Sequence, residues 1–253
     1  MSAHAPVWPV GVGRRHLDEI DSTIDEAARI APGLVGPEWI LAGFQTGGRG
    51  RRGRPWISPR GNFHATLIMT PKGGPAQAAL RSFTAALALR DALCALTGLD
   101  NSLSLKWPND VLLNGGKVSG ILLESVGQGG RVAHLAIGMG VNLIAAPDPG
   151  HVEAEALRPV SVLAETGLKI GPEHLLDHLA PAFAVWESRL LSEGFPPIRA
   201  AWLDHAANLG QPIRARTGTT THHGLFETLD KDGALVLNTT NGRISLPAAD
   251  IFF

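Results

Sequence analysis

Only one cysteine, Cys94, occurs among the 253 residues. No disulfide can therefore form within the chain, and no thiolate metal cluster can be assembled from it. Cys94 falls in the Ala- and Leu-rich stretch from Ala76 to Leu96, the setting of a buried apolar filler. An excess of one charge is also lacking: 22 Lys and Arg against 23 Asp and Glu leave a formal net charge of −1. That balance speaks against a face spread with positive charge for long nucleic acid. No apolar run free of charge approaches the ~18 residues that span a membrane. The first residues, with Pro6 and Pro9, carry no signal-peptide pattern. The expectation is a cytoplasmic protein with no membrane partner. Its length suits one large domain or a main domain with a smaller one, and no internal repeat stands out.

What the chain does have is a run of glycine and arginine from Gly43 to Trp56, with Arg49, Arg51, Arg52 and Arg54 in close succession. Arginine offers a rigid fork of donors to phosphate or carboxylate and keeps its charge at any working pH. Glycine lets backbone approach a ligand closely. Together they describe a mobile basic loop that can close over a small, highly charged anion, although a solvated basic loop has the same composition. The run lacks the Lys-Ser/Thr ending of a phosphate-binding P-loop and the spacing of a dinucleotide fingerprint.

Around the loop the pattern is mixed. Ser22 and Asp25 have the spacing of a capping box for a helix over Glu26 to Ile30, stopping before Pro32. Trp39 to Ala42 and Phe63 to Met69 read as strands. Pro75 opens a long helix to about Leu96. Ser102 to Trp107 alternates, with Leu103, Leu105 and Trp107 on one face and Lys106 pointing away from that core. Asn114-Gly115-Gly116 joins Val111–Leu113 to Val118–Glu124 as a hairpin. A strand over Arg131 to Ile137 should end at Gly138. Helices are expected at Val160 to Glu165, Pro172 to Glu193 and Ile198 to Ala206, with Arg189, Arg199 and Glu193 on a solvated surface. From Gly210 the chain becomes short strands and turns, at Pro212–Arg216, His223–Leu229, Ala234–Asn238 and Arg243–Leu246. The reading is an α/β (α+β) mixed-sheet domain over residues 1–209 followed by a small β-barrel over 210–253.

Several residues could carry chemistry. Lys106-Trp107-Pro108-Asn109-Asp110 ends a strand, where Pro108 restrains its neighbours. Asp110 could receive Mg²⁺ and Lys106 could meet phosphate as a point charge; an ordinary β-turn with a surface lysine fits equally well. Lys117 could neutralise a carboxylate or a phosphoryl oxygen, or be a solvated hairpin lysine. Asn142 could read a base edge or simply stabilise a turn. Ser22 and Thr23 could donate to a ligand, with Ser22 serving as well for a helix cap. His222 and His223 have no acidic partner nearby in sequence and make a poor metal site.

In this order, these pieces resemble the catalytic core of the biotin–protein ligases. The match consists of Asp21-Ser22-Thr23, Gln45, Gly48 to Trp56, Lys106 to Asp110, Lys117 to Glu124 and Gly138 to Asn142. Asp230 to Leu235 resembles the family's small SH3-like domain. The resemblance implies a core related to class II aminoacyl-tRNA synthetases and lipoate ligases. It also implies ATP, biotin and Mg²⁺ as the small molecules and a biotin carboxyl carrier protein as partner. Biotin's carboxylate would attack the α-phosphate of ATP, and a carrier lysine would then attack the biotinyl-5′-AMP.

By position, the resemblance implies that Ser22, Thr23, Gln45, Gly48, Arg49, Arg51 and Lys117 contact biotin. It implies that Arg51, Arg54, Trp56, Lys106, Asn109 and Asn142 contact the nucleotide, and that Arg51, Lys117 and Asp110 act in catalysis, with Asp110 the candidate metal ligand. A second loop, Ala145 to Glu155, would order over the nucleotide. Ile24 stands where the family often has Asn. Asp21 lies too near the amino terminus for the winged helix-turn-helix that some members carry, so a form that binds no DNA is expected. The resemblance also allows a homodimer paired through sheet edges. The competing readings are a lipoate–protein ligase and a non-catalytic nucleotide- or carrier-binding module. Gln45 and the intact Gly/Arg loop favour biotin over lipoate.

Overall fold

The computed structural model describes residues 6–127, 131–148 and 155–253. β1 (Gly13–Ile20) lies parallel to β2 (Glu38–Gln45), and α1 (Thr23–Ile30) makes the crossover that a parallel pair requires. β3 (Phe63–Met69) follows and is buried along its whole length, with the polar His64 and Thr66 buried between its apolar residues. After α2 (Pro75–Ala79) and α3 (Arg81–Thr97) come β4 (Leu103–Lys106), β5 (Asp110–Leu113), β6 (Gly116–Val126) and β7 (His134–Val141). These strands form one seven-stranded sheet of order β1-β2-β3-β7-β6-β5-β4, antiparallel except at its first pair. Three helices complete this part: α4 (Val162–Thr166), α5 (Pro172–Glu193) and α6 (Phe195–Asp204).

Strand alternation sends Phe63, Ala65 and Leu67 into the main core with α3 and α5, beside Leu87, Leu89 and Phe183. The opposite face carries a small cluster in which Ile24 and Ala27 of α1 meet Ile40, Ile68 and Ala136. α1 covers only part of that second face. The part it leaves open is where the cavity described below lies.

The last segment is a five-stranded antiparallel sheet of order β11-β10-β9-β8-β12. It comprises β8 (Pro212–Thr217), β9 (Thr220–Leu229), β10 (Leu235–Thr239), β11 (Gly242–Leu246) and β12 (Asp250–Phe252). So few residues make a thin core, and the sheet rests on its neighbour. Phe226 meets Trp202 of α6 edge-on at 6.5 Å between ring centroids. Trp107 Nε1 donates to Gly233 O at 3.0 Å. Arg199, expected on a solvated surface, donates instead to Leu229 O at 2.6 Å and to Thr228 Oγ1 at 2.8 Å. No helix among the described residues is long and apolar enough to cross a membrane.

Other expectations need correction. Ser22 precedes α1, but its side chain makes no capping bond, and the Ser22–Asp25 capping box does not form. The single helix expected from Pro75 is two, meeting at Leu80; α3 starts afresh there and carries Arg81 inward to pair with Glu187 at 2.6 Å. β7 does not stop at Gly138 but runs through Gly138 and Gly140 to Val141. α6 starts at Phe195, because Pro196 and Pro197 fall in a first turn where their missing N–H groups cost nothing. β1 and β12 were not anticipated. Cys94 is only half-buried, its thiol directed at Asp100.

Candidate active site

A cavity of about 700 Å³ opens on the α1 side of the main sheet, a size suited to a small-molecule ligand. Its walls come from the start of α1, the Gly/Arg loop, the β4–β5 turn, β6 and β7, and from β12 of the second sheet. The motifs separated along the chain therefore meet at one place.

At one end lies a fixed polar cluster. Gln45 Oε1 accepts from both Thr23 N at 2.8 Å and Thr23 Oγ1 at 3.0 Å, while Gln45 Nε2 donates to Ser58 Oγ at 3.0 Å. Thr66 Oγ1 donates to Thr23 Oγ1 at 2.8 Å. Ser22 is buried beside them. Ile24 turns to the sheet, where its Cδ1 would lie 2.9 Å from a Cβ placed at Gly138. An apolar contact thus stands where an Asn would have added a polar one. Gly48 is not part of the cavity wall: a Cβ there would come within 2.7 Å of Ser58 Oγ and Trp56 O, so glycine is required by loop packing.

The floor is made of glycine. Gly120 of β6 pairs with Gly140 of β7, and the Trp56 ring lies directly on them. A Cβ at Gly140 would sit 2.4 Å from Trp56 Cε2, which explains why β7 carries glycine inside a strand. Trp56 Nε1 is buried and donates to no described protein group.

Charge concentrates at the other end. Lys117 Nζ lies 2.8 Å from Asp110 Oδ1, and Lys106 Nζ lies 3.9 Å from Asp110 Oδ2. One carboxylate therefore serves two ammonium groups. Burial, reinforced by Lys117 and Arg51, pulls the Lys106 ammonium below its ordinary pKa against the pull of Asp110 and Asp250. Trp107–Pro108 is a cis peptide bond. Asn109 beyond it is held by donating to Ile121 O at 2.5 Å and faces Arg51 Nη1 at 3.5 Å.

The loop arginines divide sharply. Arg49 is bidentate to Asp25 at 2.7 and 2.8 Å and also reaches Glu124. Arg52 and Arg54 reach Asp250 at 2.5 and 3.2 Å. Arg51 has no carboxylate within ion-pair distance among the described residues, and burial lowers its pKa from the usual guanidinium value. Asp25, Glu124 and Asp250 thus offset much of the loop's like charge, a role that the sequence reading gave to none of them. Arg51 lines the cavity with Asp250 and Asp110 acting on it only from beyond ion-pair distance.

Asn142 and Asp110 line the cavity and also have partners within the protein. Asn142 is buried, and its amide donates to Val160 O at 3.1 Å, tying the end of β7 to the next segment. Asp110 does not belong to a metal-binding cluster: among the described residues no three His, Cys, Asp or Glu gather to hold an ion. Both its oxygens face lysines. The residues do not fit a protein-held Mg²⁺ site. The second loop expected over Ala145 to Glu155 lies partly outside the described residues, although Pro147 reaches the cavity wall.

Residues 20–142 match the Biotin/lipoate A/B protein ligase family, and residues 209–253 match the Biotin protein ligase C terminal domain. The chain is 57% identical over 237 residues to a biotin–[acetyl-CoA-carboxylase] ligase of Paracoccus denitrificans, covering 94% of this chain and 99% of that one. It is 31% identical to the bifunctional ligase/repressor BirA of Escherichia coli, across 92% of this chain and 74% of that one. The fold superposes on a biotin protein ligase from Aquifex aeolicus solved with biotin and ATP, with TM-score 0.80 and 24% identity, over 94% and 97% of the two chains. A match of 57% identity over 94% of the chain, joined to a cavity lined from the Ser22–Thr23, Gly/Arg-loop, Lys106–Asp110, Lys117 and Gly138–Asn142 motifs, places the chain in the biotin/lipoate protein ligase family, as a biotin–protein ligase.

Proposed function

We propose that the protein activates biotin with ATP as biotinyl-5′-AMP and passes the biotinyl group to a lysine of a biotin carboxyl carrier protein, acting in the cytoplasm. The observation that carries this is Arg51: a desolvated guanidinium lining the cavity without a carboxylate at ion-pair distance among the described residues, at the same end as Lys106 and Lys117, which share Asp110. That end of the cavity has surplus positive charge held in place before any ligand arrives. Such preorganised charge suits an anion whose charge moves during reaction.

Biotin's ureido ring belongs at the Ser22–Thr23–Gln45 end, where Thr23 and Ser58 fix the orientation of Gln45. Its acyl chain runs along the glycine floor and Trp56. Its carboxylate then reaches Lys117, next to the α-phosphate held by Arg51 and Lys106. A carboxylate oxygen attacks phosphorus, the bond to the β-phosphate oxygen breaks, and pyrophosphate leaves. Lys117 and Arg51 offset the charge that builds on the α-phosphate oxygens. Mg²⁺ enters as the counter-ion of ATP, and no step is assigned to an ion held by the protein. In the second step the carrier lysine's neutral amine attacks the acyl carbonyl, AMP departs, and Asp110 helps position the incoming amine.

Arg49 acts as an anchor of the loop to α1 and β6, and Arg54 faces Asp250, so both serve closure. Asn142 shapes the nucleotide wall through Val160. Residues 1–209 are proposed as the catalytic domain and 210–253 as the SH3-like domain. With a net charge of −1 and Arg49, Arg52 and Arg54 of its loop engaged by carboxylates, the chain is proposed to bind no operator DNA. Fluorescence anisotropy with an operator duplex at physiological salt tests that point, and a specific submicromolar complex would refute it. The catalytic proposal is tested by ATP–pyrophosphate exchange with biotin and with lipoate. Biotin-dependent exchange is expected. Exchange supported by lipoate alone, or by neither acid, would overturn it.

A further inference from the structure

Asp250 belongs to the second sheet, far along the chain from the Gly/Arg loop, yet it lies on the cavity wall. Its Oδ2 accepts from Arg52 at 2.5 Å and its Oδ1 from Arg54 at 3.2 Å. Arg216, its register partner on β8, approaches Oδ2 at 3.5 Å from within the same sheet. The carboxylate is almost buried, with 12% of its side chain exposed. Burial works against its charge, but the arginines outweigh burial and hold its pKa below the ordinary carboxylate value.

The turn it grips is conformationally unfavourable alone. Arg52 has φ of 59°, the left-handed region that an arginine seldom occupies, and must be held there by its surroundings. Removing Asp250's charge would take away the carboxylate that Arg52 and Arg54 share and leave the strained turn without that contact. With Asp250 in place, Arg52 and Arg54 are held by its carboxylate, and Arg51 lines the cavity without a carboxylate at ion-pair distance among the described residues.

We infer that Asp250 is a positioning residue for adenylation: from the carboxy-terminal sheet it latches the 51–54 turn, so that Arg51 is presented to the phosphate. The inference rests on the proposed ligase reaction for its purpose, but the latch itself can be observed without ligand. It also gives the second sheet a part in the chemistry, since that sheet supplies the counter-charge of the loop.

The test compares wild type with Asp250→Asn and Asp250→Glu. In ligand-free protein, amide hydrogen exchange at residues 50–54 should quicken at least about fivefold in Asp250→Asn. Exchange in β3 should stay unchanged. Salt should quicken loop exchange in wild type and have much less effect in Asp250→Asn, because the ion pairs it screens are already gone. Release of biotinyl-AMP should quicken in parallel, and Asp250→Glu should restore much of both properties. Unchanged exchange at 50–54 overturns the latch. Faster exchange spread over β8 to β12, with a lowered Tm, no salt difference and no rescue by Glu, also overturns it, because Asp250 would then only stabilise its sheet. A latch difference in exchange together with no biotinyl-AMP from wild type would refute the ligase reading instead.

Discussion

Gly140→Ala tests the cavity floor with one added methyl group. A Cβ at this position would stand 2.4 Å from both Cε2 and Nε1 of Trp56. Nonbonded carbons settle at about 3.5–4.0 Å, so the indole must retreat by roughly 1–1.5 Å. Overpacking of this kind costs about 1–3 kcal/mol in a closed core. Here the ring can lift into the cavity, so a value near the lower end is expected, a Tm loss of about 2–4 °C for a chain of this size. Activity should suffer much more. Trp56 backs the acyl chain, and Lys117 Nζ stands 5.8 Å from the centre of its ring. A displacement of about 1 Å at a positioning group can cost on the order of 10²-fold in rate. Biotin-dependent adenylate formation, followed by quenched flow, and thermal unfolding supply the two readouts. Gly33→Ala, where a Cβ meets nothing within 4 Å, is the control and should match wild type in both. A Gly140→Ala protein that forms adenylate at the parent rate would refute the account of the glycine floor.

Arg51→Ala should release biotinyl-AMP at least about tenfold faster, equivalent to ~1.4 kcal/mol, with little change in Tm; an unchanged release rate assigns retention to other residues. Lys117→Ala should slow adenylate formation by about 10²-fold or more, and preformed biotinyl-AMP should restore much of the transfer to the carrier; adenylate formed at the parent rate would remove Lys117 from the chemical step. His64 supplies a pH test: burial lowers its pKa, only partly opposed by its contact with the Pro59 carbonyl. Its contribution is therefore complete above the unfolded value of about 6.5 and is lost as pH falls through the folded value. The urea midpoint should drop from pH 7 to pH 5. His64→Gln should flatten that slope without abolishing it, since His205 is shifted in the same direction, and an unchanged slope would contradict the assignment.

Local chemistry made parts of this molecule readable. β3 is rich in apolar residues because it is buried on both faces, and Lys106 points away from Leu103 and Leu105 because strands alternate. The Gly/Arg loop and the Lys106–Asp110 turn could be named because their chemistry lies in consecutive residues. Other features depend on distant partners. β1 carries Arg14, Arg15, His16, Asp18 and Glu19, a charged composition tolerated at a sheet edge but hard to distinguish from a loop. The glycines of β7 read as a strand end because Trp56, which lies on Gly140, is distant in sequence. Asp250 has no local signature, and its meaning arises only when β12 meets the loop. Ser22 looked like a helix cap, yet it is buried at the cavity without a capping bond. Arg49 lines the cavity, and its ion pairs with Asp25 and Glu124 join residues too far apart in sequence to be read from it.

The central claim is that this cavity joins biotin to AMP and holds the product. Native mass spectrometry of the protein after incubation with biotin and Mg-ATP tests it most directly. The account predicts a complex carrying one biotinyl-AMP per chain, formed with release of pyrophosphate and absent when either substrate is withheld. Addition of a biotin carboxyl carrier protein should then discharge the complex and leave the carrier heavier by one biotinyl group. A protein that binds both substrates yet never carries the adenylate, or that carries lipoyl-AMP in preference, would contradict it.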